Sequence, residues 1–103
     1  MPFDWDQANI RHIAKHRITP PEAEQVVLNN PIDLQFQISS GEERIAQLGE
    51  TSAGRILVVI TTMRDESIRV VTAFPATKQL RNLYNTQKGS TDEGGTEEEE
   101  LQE

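Results

Sequence analysis

Arg64, Arg69, Lys78, Arg81 and Lys88 fall within residues 64–88, a stretch with only two acids, whereas residues 1–63 hold five basic and eight acidic groups. Grouped around one concave edge, such cations hold phosphates, and arginine does so best because its guanidinium fork meets two phosphate oxygens. By charge alone the same residues also suit a solvated helix face and a sheet rim. Glu42-Glu43-Arg44 opens a candidate strand. In a catalytic site it supplies a proton acceptor beside an anion clamp; otherwise it is an exposed ion-pair network of small energetic weight. His16, beside Lys15, is a further candidate acid or base, with capping or packing at a helix end as the alternative. His12 and His16 have the four-residue spacing of a two-imidazole metal site, but no glutamate follows His12 as in the zinc-protease helix, and no third ligand is evident. No metal or cofactor is assigned. A Ser-His-Asp grouping, a phosphate loop and a glycine fingerprint are all missing.

The elements that must position these residues are legible from capping and periodicity. Asp6 is a plausible N-cap for a first helix with Ile10, Ile13 and Ala14 on its inner face, after an extended Phe3-Asp4-Trp5. Thr19-Pro20-Pro21-Glu22 is a capping box with proline at the first helical position, and it starts a second helix to about Leu28 with Ala23, Val26 and Val27 inward. Asn29-Asn30-Pro31 stops it. Strands are expected at 32–38, which alternates strictly, at 43–48, at 55–63 and at 68–74. The third has too many consecutive apolar residues to face water on either side, so it is central. The turn 64–67 makes the third and fourth an antiparallel hairpin. A last helix runs from Thr77 to about Lys88 with Leu80, Leu83 and Tyr84 inward. The fold class is therefore α+β: two N-terminal helices, a four-stranded antiparallel meander and a C-terminal helix.

The chain is 103 residues long, which suits one domain, expected at residues 1–89. Its net charge of −7 comes from the end of the chain, because residues 91–103 contain seven acids and residues 1–90 hold ten of each sign. Residues 90–103 are aperiodic and highly charged, and are expected to be a disordered acidic tail. Such a tail either lies over the basic region in competition with phosphates or acts as a solubilising appendage. The absence of cysteine removes disulfides and thiolate chemistry. Ile56–Ile60, the longest apolar run, has five residues where a membrane span needs about 20. With an acidic start in place of a signal peptide, the expected location is the cytoplasm, with no membrane partner. No helix has enough basic residues to read a DNA groove, so direct DNA binding by this chain alone is not expected.

Taken in order, Phe3-Asp4-Trp5-Asp6, Lys15-His16 with Ile18, Glu22-Ala23, Asn30-Pro31, Glu42-Glu43-Arg44, Gly49, Gly54 to Val59, Arg64, Ile68 to Val71, Ala73, Ala76-Thr77 and Tyr84 resemble the BrnT family of bacterial toxins over residues 3 to about 88. The resemblance implies a fold similar to the RelE-type ribonucleases. It also implies the toxin role in a type II toxin–antitoxin pair, with metal-independent cleavage of RNA held in check by a small BrnA-type antitoxin. A non-catalytic relative that binds RNA or a protein is the alternative.

RNA supplies its own nucleophile, the 2′-hydroxyl, so such an enzyme must accept that proton, stabilise a phosphorane-like transition state and protonate the leaving 5′-oxygen. By residue type and matching position, Arg64 and Arg69 are assigned to the phosphate and Glu43 or His16 to the protons. Arg44, Lys78, Arg81 and Lys88 are assigned to RNA binding. Antitoxin docking is expected on a sheet edge or on the helical face with Val26. Three positions depart from the family pattern: Phe74 replaces an arginine, Leu80 a glutamate, and Arg17 the glycine that ends the first helix. Phe74 suits a plug between sheet and helix better than a platform for base stacking.

Overall fold

Asp6 and Thr19 start the first two helices by satisfying amides that the helices themselves leave free. In the computed structural model, which describes residues 2–39 and 41–89, the Asp6 carboxylate accepts the Asn9 amide at 2.9 Å at the head of α1 (Gln7–Ala14). Thr19 Oγ1 accepts the Glu22 amide at 3.4 Å, Glu22 Oε1 accepts the Thr19 amide at 3.0 Å, and Pro20 opens α2 (Pro20–Leu28). Between the helices the Ile13 carbonyl accepts from Ile18 and the Ala14 carbonyl from Arg17, a Schellman-type closure that leaves Arg17 at φ +62°.

The strands β1 (Ile32–Ser39), β2 (Glu42–Glu50), β3 (Ile56–Arg64) and β4 (Ser67–Pro75) form one sheet in the order β1-β2-β3-β4, all antiparallel, followed by α3 (Lys78–Gly89). The turn between β3 and β4 runs through Asp65 and Glu66 at φ +52° and +66°, the backbone of a two-residue type I′ turn. Phe3 pairs in parallel with Ile68, the Asp4 amide donates to the Ile68 carbonyl at 2.8 Å, and the Ile68 amide donates to the Pro2 carbonyl at 2.9 Å. The N-terminal segment thus covers part of the β4 edge.

Helices occupy both faces of the sheet. Ile13, Ala23 and Val26 from the first two helices, with Ile18 between them, bury Leu57 and Val59 of β3 with Val70 and Ala73 of β4. On the other face Ala76 and Tyr84, with Leu80 and Leu83, pack on Leu48 and Val58, with Ala46, Ile60 and Phe74. The apolar run of β3 is thereby divided between two cores, as expected of a central strand. The inner face of α1 differs from the sequence expectation: Ile13 is fully buried, but Ile10 and Ala14 are exposed and Asn9, one turn before Ile13, takes the second inward place. The helix touches the sheet along β4, at its margin, so its buried stripe is narrow. The segment 90–103, expected to be a disordered tail, lies outside the described residues.

Two glycine positions give opposite predictions. A Cβ on Gly49 would lie 3.0 Å from Val26 Cγ1 and 3.3 Å from both the Val26 carbonyl oxygen and Pro31 Cβ, because α2 rests directly on β2 there. Gly49→Val is expected to lower unfolding stability by about 2 kcal/mol in urea denaturation. Arg17→Gly relieves a left-handed backbone without touching the carbonyl that Arg55 uses, and is expected to raise stability by about 1 kcal/mol.

Candidate functional site

The helix α3 crosses the sheet at one end only. The Ala76 amide before it donates to the Ile56 carbonyl at 3.0 Å, and Lys88 Nζ in its last turn donates to the Asn30 carbonyl at 2.7 Å, so both ends of α3 lie where β3 and β1 begin. The same face stays open toward the far end of β3. Ala46 and Leu48 on β2, and Val58 and Ile60 on β3, face α3. Counting in twos along these strands puts Glu42, Arg44, Thr62 and Arg64 on that face beyond the helix. Arg69 on β4 pairs with Thr62.

Glu42 joins two of the three arginines. Its Oε1 lies 3.4 Å from Arg44 Nη2 and its Oε2 3.3 Å from Arg64 Nη2. The bond from Arg64, then that from Arg44, holds the Glu42 carboxyl below its usual range. Arg64 is half exposed, while Nε of Arg44 is buried with no hydrogen-bond partner among the described residues. Arg69 has other partners. Its Nη2 donates to Asp6 Oδ2 at 2.8 Å and its Nη1 lies 3.6 Å from Asp4 Oδ2, which ties β4 to the N-terminal segment and raises the Arg69 pKa, Asp6 chiefly.

The five cations of residues 64–88 do not share one edge. Arg64 and Arg69 stand at the open end of the sheet, and Lys78, Arg81 and Lys88 ride on α3 at the other, roughly 25 Å away by the rise of β3. Arg81 donates to the Ala76 carbonyl at 2.9 Å and so closes the turn into its own helix. Arg44, by contrast, is brought beside Arg64.

Neither proton-transfer candidate reaches the arginines. By strand alternation Glu43 points to the opposite face, and with Val27, Ile45, Gln47, Thr61, Met63 and Ile68 it lines a groove of about 440 Å³ that also reaches Gly41, Glu42 and Thr62. His16 lies in the turn just past α1, its ring 6.3 Å from Phe74 and 6.5 Å from His12, and Phe74 is five residues along β4 from Arg69, about 17 Å. Among the described residues no three His, Cys, Asp or Glu side chains group as a metal site. The carboxylate that does meet the arginines is Glu42, not the neighbouring Glu43 expected from residue type. Strand alternation was the available signal, since a residue that shares a face with Arg44 stands two away, not one. Phe74 on β4 and Leu80 on α3 are both partly buried against the core between sheet and helix, consistent with a plug. Val26 is fully buried and so cannot serve as a docking surface.

A family model described as "Ribonuclease toxin, BrnT, of type II toxin-antitoxin system" matches residues 5–79. The match runs from α1 into the first turn of α3 and includes Glu42, Arg44, Arg64 and Arg69. No match to the chain is found among curated proteins. No helix among the described residues is long and apolar enough to cross a membrane.

Besides Glu42, two further depressed carboxylates set an acid limit on the fold. Asp6 is lowered from 3.8 by the Asn9 amide first and by Arg69 next. Burial raises Glu22, but the Thr19 amide and Arg55, at 2.9 Å, outweigh it and leave Glu22 below 4.5. Each stabilises the folded state fully above its ordinary value, and that contribution is lost as pH falls through the lower folded value. Thermal melts are expected to fall below about pH 4.5. Asp6→Asn should flatten part of that fall and lower the melting temperature at pH 7.

Proposed function

The chain belongs to the BrnT family of ribonuclease toxins of type II toxin–antitoxin systems, and we propose that it cleaves RNA on the open face of its sheet. The observation that carries this reading is the convergence of Arg44 and Arg64 on one carboxylate beyond the reach of α3. Two guanidiniums so placed can take the non-bridging oxygens of a phosphodiester and stabilise the charge that builds on them as the 2′-oxygen attacks. The 2′-oxygen–phosphorus bond forms as the phosphorus–5′-oxygen bond breaks, and the 2′-hydroxyl proton passes through solvent on this open face to the leaving 5′-oxygen, which yields a 2′,3′-cyclic phosphate and a free 5′-hydroxyl without a metal. Arg69 is placed second to Arg44, because Asp4 and Asp6 already occupy its guanidinium. Exposed Lys78 and Arg81, with Lys88, provide a second basic strip for RNA beyond the cleavage point.

Membership of a type II family implies an antitoxin partner. We assign this role to a small protein of the BrnA type, acting with the toxin in the cytoplasm. One feature favours the alternative reading, a non-catalytic binding module. Phe74 and Leu80, apolar at positions where the family resemblance implies polar side chains, are both spent on packing between the sheet and α3. On that reading the arginine face binds RNA without cutting it.

The test is RNA incubated with purified protein in chelator. The parent is expected to cleave, and Arg64→Ala and Arg44→Ala are each expected to lower the rate about 100-fold, with melting temperatures near that of the parent. An inactive parent that still binds RNA would favour the binding module.

A further inference from the structure

We propose that Glu42 occupies the phosphate position of the Arg44–Arg64 pair in the free protein and yields it to the RNA backbone on binding. The inference rests on the reading of this face as the RNA site. Three observations support it. The carboxylate spans the two guanidiniums with one oxygen on each, as a phosphodiester would with its two non-bridging oxygens. Both contacts, 3.4 Å and 3.3 Å, are longer than the 2.7–2.9 Å of a strong charge-assisted bond, and each uses a single Nη2 of its guanidinium fork. Nε of Arg44 is buried with no protein partner among the described residues, an unmet donor beside the same position.

Side chains at the site are 30–49% exposed, so the Glu42 ion pairs are screened and inexpensive to break. The carboxylate offsets the mutual repulsion of the two guanidiniums and holds both arginines in place until RNA arrives. It also costs affinity, because an anion must be displaced by an anion. Glu42 is thus a specificity gate: a phosphodiester that engages both arginines at once displaces it, whereas a ligand with one weak contact does not.

The experiment measures binding of a single-stranded 2′-O-methyl oligoribonucleotide, which lacks the nucleophile, so that the outcome is independent of cleavage. Glu42→Gln is expected to tighten binding about fivefold at low salt. Glu43→Gln removes the same charge from the opposite face and is expected to leave affinity within about twofold of the parent. In the Glu42→Gln background, Arg44→Ala should abolish the gain. Equal tightening by both glutamine variants would reduce the effect to net charge and overturn the proposal, as would unchanged or weaker binding by a folded Glu42→Gln protein. A gain with Glu42→Gln in a protein that never cleaves RNA would uphold the gate while refuting the ribonuclease reading.

Discussion

Strand β3 is apolar on both sides from Ile56 to Ile60, and no arrangement that leaves either side in water is stable. Leu57 and Val59 require cover on one face and Val58 and Ile60 on the other. The chain meets this by sending α1 and α2 to the first face and α3 to the second. The same alternation continues past the apolar run into Thr62 and Arg64, where α3 no longer reaches. The placement of the arginine face is therefore a consequence of how β3 is buried. A one-residue slip in this strand would turn Arg64 to the opposite side.

Electrostatics at that end is local and nearly balanced. Glu42 stands between Arg44 and Arg64, and Asp4 with Asp6 accompanies Arg69. The two groups differ in use. The Arg69 pairs join the N-terminal segment, the head of α1 and β4, and support the parallel bridge at Phe3. The Arg44 and Arg64 contacts are longer than the 2.8 Å Arg69–Asp6 bond, leave their arginine side chains more exposed than that of Arg69, and tie β2 only to itself and to the neighbouring β3. One group holds structure while the other leaves guanidinium donors accessible, which is why the ribonuclease proposal is built on Arg44 and Arg64. The chain total of −7 says nothing of this balance, because seven of its acids lie in residues 91–103.

Much of the fold was readable because it rests on local rules. Asp6, the Thr19–Glu22 box and the Asn29-Asn30-Pro31 stop fix the helices, and period-two alternation with a doubly apolar third strand fixes the sheet. The family resemblance drawn from ordered short motifs agrees with the matched span of residues 5–79. The candidate site was less readable. Which cations meet depends on the path of α3 over the sheet, which no local pattern encodes, so Lys78, Arg81 and Lys88 part from Arg64. The engagement of Arg69 depends on the N-terminal segment lying beside β4, a contact 63 residues apart in sequence. Glu42, in contrast, was accessible by counting in twos from Arg44. The exposed Ile10 and buried Asn9 show the limit of a helix stripe read without its partner: an inward position at the margin of a sheet need not be apolar.

The central claim is that the RNA backbone meets Glu42, Arg44 and Arg64 on the sheet face that α3 leaves open. Amide and guanidinium NMR shifts, recorded while a non-cleavable single-stranded RNA is titrated into the full chain, test it most directly. The account predicts the largest changes at Glu42, Arg44, Thr62 and Arg64. Changes centred on Glu43, Ile45 and Met63 of the opposite face, or confined to α3, would contradict it.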